Sequence, residues 1–147
     1  MAIRNWLVCA AIVTAFAVGY TWHGSAKPIA VLNAAAADRV FEMRTYTASA
    51  GKFENVKTRF RDHTIRIFKR HGMESIGYWT PADAPGAGTT LVYIIAHASR
   101  EQAVKNWAEF NADPEWVKVR ADSNVDGNIV AKAESVFLNP VDFSPIK

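Results

Sequence analysis

Cysteine is nearly absent: the one residue, Cys9, lies within the uncharged run WLVCAAIVTAFAVGY at 6–20. The rest of the chain therefore has no thiol for a disulfide, a zinc thiolate or a covalent nucleophile. Acidic residues are absent before Asp38, and Arg4 and Lys27 are the only basic ones in that stretch. No G-x-G-x-x-G, P-loop or G-x-S-x-G pattern occurs, so dinucleotide, nucleotide and α/β-hydrolase chemistry have no motif behind them. The histidines beyond residue 38 are His63, His71 and His97, with no short-spaced pair among them. Zinc needs three or four convergent ligands, so neither a metal nor a cofactor is expected.

What stands at the N-terminus is a short head with one positive charge followed by an apolar core of signal-peptide length. Small residues permit cleavage after Ala37, the preferred point, or after Ala26. Export to a periplasm is the expectation. The alternative is an uncleaved membrane anchor through 6–22 with a tether, although the run is shorter than the roughly 18–20 residues that span a bilayer comfortably. A mitochondrial presequence would be richer in arginine. The organisation is then 1–37 as leader or anchor and 38–147 as one folded domain. Loss of the leader leaves 15 basic against 14 acidic side chains, about +1. So small a charge excludes a global electrostatic case for nucleic acid, and membrane contact is confined to the leader if it is retained.

Within the domain, VFEMRTYT at 40–47 alternates as a strand, and GKFENVKTRFRDHTIRIFKRHG carries a helical period ending at Gly72. MESIGYWT at 73–80 is a second strand, and PADAPGAG at 81–88 is a connection. TTLVYIIAHA at 89–98 is a third strand, and SREQ at 99–102 has the form of a capping box. The helix it opens carries Ala103, Val104, Trp107 and Phe110 on one stripe. Asp113 and Pro114 suit the cap and first turn of a further helix. NIVAKAESVFL at 128–138 is the fourth strand, before a proline-punctuated tail.

This order, β-α-β-β-α-β, predicts an α+β ferredoxin-like sandwich with helices on one face of a four-stranded antiparallel sheet. Glu42, Arg44, Tyr46, Tyr93, His97, Lys132 and Glu134 are assigned to the uncovered face, where a second sheet would enclose a partly polar cavity. That arrangement is a dimeric α+β barrel, hence a homodimer. On a helical wheel Val56, Phe60, Thr64, Ile67, Phe68 and His71 fall within roughly 60° of one line through Phe53. Arg59, Asp62, Arg66, Lys69 and Arg70 fall opposite or on the flanks, as a solvated face. His71 reads as a helix-end residue beside Gly72, and His63 lies at the edge of the buried stripe.

Several stretches together resemble the NIPSNAP family: FEMRTYT with GKF, FRDHTIRIFKRHGM, GYWT, LVYIIA, WAEFNADPEWVKVRADS and SVFLNPVDFSP. They run in the family's order over nearly all of 38–147. The resemblance implies the dimeric α+β barrel but transfers no catalytic residue. Trp79, Trp107 and Trp116 match its aromatic positions, with core packing as their expected role. The exported leader departs from the family's mitochondrial members, so their protein partners are not carried over.

Two functions are open at this stage. One is a non-catalytic homodimeric binding or interaction module. The other is a cofactor-independent monooxygenase-like or haem-binding enzyme using the barrel cavity, an analogy of fold alone. For either, the candidate site combines His63 or His97 as a general base with Arg44 as a clamp for a carboxylate or enolate. Tyr46, Tyr78, Trp79 and Tyr93 are the candidate walls, for a small apolar or aromatic ligand. Arg44 has a purely structural alternative, pairing with Glu42 or Glu134.

Overall fold

The computed structural model describes residues 39–147; the leader, both cleavage points and Cys9 lie outside them. The first strand, β1 (Val40–Ala48), leads through a turn at Gly51 into a long helix, α1, over 53–70. The strands β2 (Glu74–Trp79) and β3 (Thr90–His97) follow, then helices α2 (Arg100–Ala112) and α3 (Pro114–Ser123), and strand β4 (Val130–Leu138). The sheet order is β2-β3-β1-β4 with every neighbouring pair antiparallel, the ferredoxin-like arrangement expected from the element order. Among the described residues no helix is long and apolar enough to cross a membrane.

Helix ends follow the expected local chemistry. Ser99 caps α2 by accepting from the Gln102 N–H at 3.1 Å. The Gln102 side chain does not close the reciprocal half of the box; it donates to Asn106 Oδ1 at 2.6 Å instead. Asp113 caps α3 by accepting from the N–H groups of Glu115 (2.8 Å) and Trp116 (3.2 Å), with Pro114 in the first turn. Its other carboxylate oxygen accepts from His71 Nε2 at 2.7 Å and Arg70 Nη2 at 2.6 Å, which ties the end of α1 to the start of α3. His71 is thus a helix-end residue, but its ring serves the next helix rather than its own carbonyls. The hydrogen bond from His71, with those from Arg70 and the α3 backbone, outweighs burial and holds the Asp113 carboxyl well below the usual range.

α1 is not one regular helix. It is α-helical over Phe53–Arg59, widens to a π-helical turn over Phe60–Thr64, and is α-helical again over Ile65–Arg70. The Thr64 hydroxyl donates to the Arg59 carbonyl at 3.1 Å across this turn. Such a widening changes which side chains face the protein, and is frequent near functional sites. Phe53, Val56, Phe60, Ile67 and Phe68 all join the core, as the wheel predicted. Arg59 does too, with 6% exposure, so its assignment to the solvated face is corrected. The wheel accounted for a sheet below the helix but not for α3 beside it, whose Ser123 Oγ accepts from Arg59 Nη1 at 3.1 Å. Arg66 and Arg70 are exposed but paired with Glu115.

A second correction concerns the sheet. Glu42 bonds to Trp107 of α2, and Tyr46 packs edge-on to Phe60 of α1, so the even-numbered residues of β1 point at the helices. The register places Arg44 opposite Tyr93 and Ser135, which share that face. Of the polar set expected on the uncovered face, Glu42, Arg44, Tyr46, Tyr93 and His97 therefore lie beneath the helices, whereas Lys132 and Glu134, opposite Thr47 and Thr45, lie on the open face. The open face carries Phe41, Met43, Val92, Ile94, Val136 and Leu138 as an apolar patch, beside Thr45, Thr47, Lys132 and Glu134. The stripe on α2 is also rotated: Asn106 is buried where Val104 was expected, and Val104 is exposed. Asn106 wins the position because its amide bonds across to the Gly72 carbonyl and to His97, at 3.2 Å each.

Replacing Asp113 by alanine removes the cap of α3 and its tie to α1. We expect a loss of about 1–2 kcal/mol in urea unfolding at neutral pH. Asp113→Asn, which keeps a capping oxygen, should lose less; equal losses would show that the cap contributes little.

Candidate functional site

Among the most deeply buried polar groups on the helix side of the sheet is Glu42, 1% exposed. A carboxylate buried on a strand needs a donor for each lone pair it exposes to protein. Four elements supply them. Oε1 accepts from Arg44 Nη1 of β1 at 2.6 Å and Ser135 Oγ of β4 at 2.5 Å. Oε2 accepts from Trp107 Nε1 of α2 at 2.6 Å and lies 3.2 Å from His97 Nε2 of β3. Burial by itself would raise the Glu42 pKa. The bonds from His97, Ser135, Trp107 and Arg44 reverse that and lower it to about 2.

The network also assigns the His97 tautomer. Asn106 Nδ2 donates to the Gly72 carbonyl, which can only accept, and the same nitrogen lies 3.2 Å from His97 Nδ1. Nδ1 is then the acceptor, and Nε2 carries the proton that it gives to Glu42. His97 has neither a free lone pair nor an exposed ring edge, and both its nitrogens serve to position Glu42 and Asn106. His63 is elsewhere, in a groove between α1 and α3 with Glu54, Thr58, Val119 and Asp122. The structure does not bring the two histidines to one site. Nor does either fit haem: both His97 nitrogens are engaged, and the groove at His63 has one apolar wall residue, Val119.

Arg44 extends from this hub into a cleft of about 480 Å³ bounded by β1, the start of β4, and the far ends of α2 and α3. The expected pairing of Arg44 with Glu42 is present; Glu134 instead pairs with Lys132 at 2.8 Å. The Arg44 guanidinium lies over the Trp107 ring, 4.4 Å from its centroid, and 5.6 Å from that of Tyr46. Trp107 packs against Phe110 at 5.5 Å and Phe110 against Trp116 at 4.5 Å. Arg59 covers the far end, 5.2 Å over Trp116. The result is an aromatic wall with a guanidinium at each end. Arg120 and Lys132 also line the cleft, whereas no aspartate, glutamate or histidine does.

Of the other candidates, Tyr46 lines this cleft, and Tyr93 lies beneath it with ring centroids 5.3 Å apart. Tyr93 is fully buried, and burial raises its phenol pKa well above the ordinary value. Tyr78 stacks on the far side of Tyr93 at 5.7 Å and lines a separate apolar groove with Trp79, Phe53 and Ile65. Trp79 is half-exposed, against its expected packing role, while Trp116 is buried and Trp107 is packed against the core. The candidates thus divide among three places.

Glu42, Arg59 and Asn106 were missed as site residues. A signal existed for Glu42, since Glu42, Arg44 and Tyr46 occupy successive positions of one strand face. For Arg59 it was its place three residues after Val56 and directly before Phe60. Among the described residues no group of three or more His, Cys, Asp or Glu side chains could hold a metal ion.

The model of the NIPSNAP family matches residues 41–145. Among solved structures, a NIPSNAP family protein of unknown function from Agrobacterium tumefaciens is 27% identical, with a TM-score of 0.65 over 76% of this chain and 96% of that one. A NIPSNAP domain protein from Burkholderia xenovorans is 26% identical, with a TM-score of 0.61 over 72% and 98%. More distantly, a candidate antibiotic biosynthesis monooxygenase from Nitrosomonas europaea is 16% identical, with a TM-score of 0.50 over 69% and 98%, a likeness of fold. No curated protein matches the chain.

The depressed Glu42 pKa makes a signed prediction. A carboxylate at about 2 in the folded state and about 4.5 when unfolded stabilises the fold above pH 4.5, and that stability is lost as pH falls from 4.5 towards 2. The full shift corresponds to up to about 3 kcal/mol. Glu42→Gln should be destabilised by that order at pH 7, since its amide N–H₂ opposes donors, and should show a shallower loss of stability with acid. A mutant with the wild-type acid profile would place the titration on another group.

Proposed function

The chain belongs to the NIPSNAP family, and from that membership we propose an exported, homodimeric, non-catalytic binding domain whose small-molecule cavity lies between its helices and its sheet. The observation that carries this is the cleft itself: an aromatic wall of Trp107, Phe110 and Trp116 over the polar hub at Glu42. Ligand sites combine apolar walls with a few fixed polar groups, and here Glu42 locks Arg44 in place before any ligand arrives. A binding role agrees with the chemistry of the lining, in which cations, amides and the Tyr46 phenol face the cleft and, among the described residues, no carboxylate or imidazole does.

Dimerisation through the open sheet face is supported by its composition. Val136 and Trp79 are each 51% exposed there and Leu138 36%, and a contiguous apolar sheet surface of this kind is the usual mark of an interface. A second copy packed sheet to sheet would bury it and complete the α+β barrel. The cleft lies on the opposite side of the sheet, so each protomer would keep its own. Export rests on the leader read from the sequence, and predicts Asp38, or alternatively Lys27, as the native N-terminus.

Three measurements test these points. Light scattering of 38–147 should give twice the monomer mass, and Val136→Glu on the open face should halve it; a wild-type monomer at micromolar concentration overturns the dimer. A thermal-shift screen of small aromatic compounds should find stabilisers whose effect disappears in Ala133→Phe, which fills the cleft beside Tyr46. Stabilisers that act equally on that variant would put binding elsewhere. Mass spectrometry of the native N-terminus decides the processing, and an intact Met1 would support the anchored form.

A further inference from the structure

Resting on that binding site, the charges around the cleft specify the class of ligand. Arg44 and Arg59 cap the same aromatic wall but are not equivalent. Arg44 is offset by Glu42 at 2.6 Å. Arg59 has no carboxylate among the described residues; its contacts are the neutral Ser123 hydroxyl and the Trp116 ring. It is also more than nine-tenths buried. A buried guanidinium without a counter-charge is costly, and proteins rarely retain one without a use for it.

The uncompensated charge coincides with uncompensated donors. Arg59 Nε, Arg44 Nε and Trp116 Nε1 are buried and have no hydrogen-bond partner among the described residues, and all three belong to residues lining this cleft. Trp116 is, like Arg59, more than nine-tenths buried. Orphaned buried donors are few in native proteins, and a cluster of them at one cavity marks a place where an acceptor is missing. These three atoms can only donate, and the fourth unpartnered buried group, the Tyr93 hydroxyl beneath the cleft, can donate or accept. An acceptor with one negative charge would satisfy the donors and neutralise Arg59 together. The wall of Trp107, Phe110 and Trp116 suits a planar apolar body beside it.

We propose that the cleft takes an aromatic carboxylic acid, with the carboxylate held by Arg59 and Trp116 and the ring lying along the Trp107–Phe110 wall. A carboxylate is favoured over phosphate by charge count: one buried cation is unpaired, because Glu42 already neutralises the other. Arg120 and Lys132 are exposed and would guide an anion to the entrance rather than bind it in the interior.

The test uses the full chain and three probes: 1-naphthoate, its neutral amide 1-naphthamide, and inorganic phosphate. Naphthoate should bind at least about tenfold more tightly than naphthamide, the effect of one charge-assisted contact. It should also shift the Trp116 indole N–H resonance in ¹H–¹⁵N spectra. Arg59→Met should weaken naphthoate about tenfold or more while leaving Tm unchanged or raised, because the unpaired buried charge is gone. Trp116→Phe, which keeps the ring and loses the donor, should weaken it less. Equal binding of acid and amide in the cleft overturns the carboxylate assignment but leaves the binding domain standing. Phosphate that shifts Trp116 as strongly as naphthoate overturns the aromatic body. Naphthoate that leaves the Trp116 N–H unmoved, or binds Arg59→Met as tightly as wild type, removes the site, and binding of none of the probes counts against both readings.

Discussion

The buried carboxylate of Glu42 organises the helix side of this fold. It gathers donors from β1, β3, β4 and α2, so the inner strands, the edge strand and one covering helix are joined by hydrogen bonds to two oxygen atoms. None of these partners is dispensable in isolation, because a donor withdrawn leaves a buried charge short of compensation. The network continues outward: His97 engages Asn106, and Asn106 reaches the Gly72 carbonyl at the end of α1 and the Gln102 amide within α2. One side chain therefore sets the orientation of Trp107 and Arg44, the two residues through which the hub touches the cleft.

This arrangement divides the sheet into two unlike faces. The polar hub at Glu42 is buried beneath the helices beside the apolar core, and the face turned to solvent carries an apolar patch next to Thr45, Thr47, Lys132 and Glu134. A sheet covered on one side usually keeps its apolar side inward and its polar side out, and here each face carries some of the other kind. An apolar patch on the open face is physically sensible if that face is itself destined for burial. The helix side can be polar because helices bring donors to it; a sheet packed on a sheet brings mainly side chains of its own kind.

The buried polar hub also explains which parts of the structure were legible in the sequence. Element order, the Ser99 and Asp113 caps, and the Gly72 stop depend on local chemistry, and each lies where its signal put it. The two-residue period of β1 correctly separates Glu42, Arg44 and Tyr46 from Phe41 and Met43, but alternation does not say which set faces the helices. Assigning the polar set outward followed a sound average; it fits Lys132 and Glu134 but fails for Glu42, Arg44 and Tyr46, because the Glu42 hydrogen bonds come from sequence-distant residues such as Trp107 and Ser135. Arg59 was hidden by two further non-local facts, the neighbouring helix α3 and the π-helical turn that begins directly after it. His63 and His97 both looked chemical, yet one faces a polar groove and the other has both nitrogens occupied.

The contrast between the two arginines carries the functional argument further than either does alone. Had both been paired, the cleft would be an ordinary cavity between helices, and had both been orphaned, the site would be hard to reconcile with a stable fold. Instead the protein pairs the charge nearest its structural hub with a carboxylate and leaves the one at the opposite end of the same aromatic wall without one among the described residues. Local rules of polar satisfaction are kept where the fold depends on them and broken at one cavity. Places where a sequence departs from consistency in this way are where function is expected to lie.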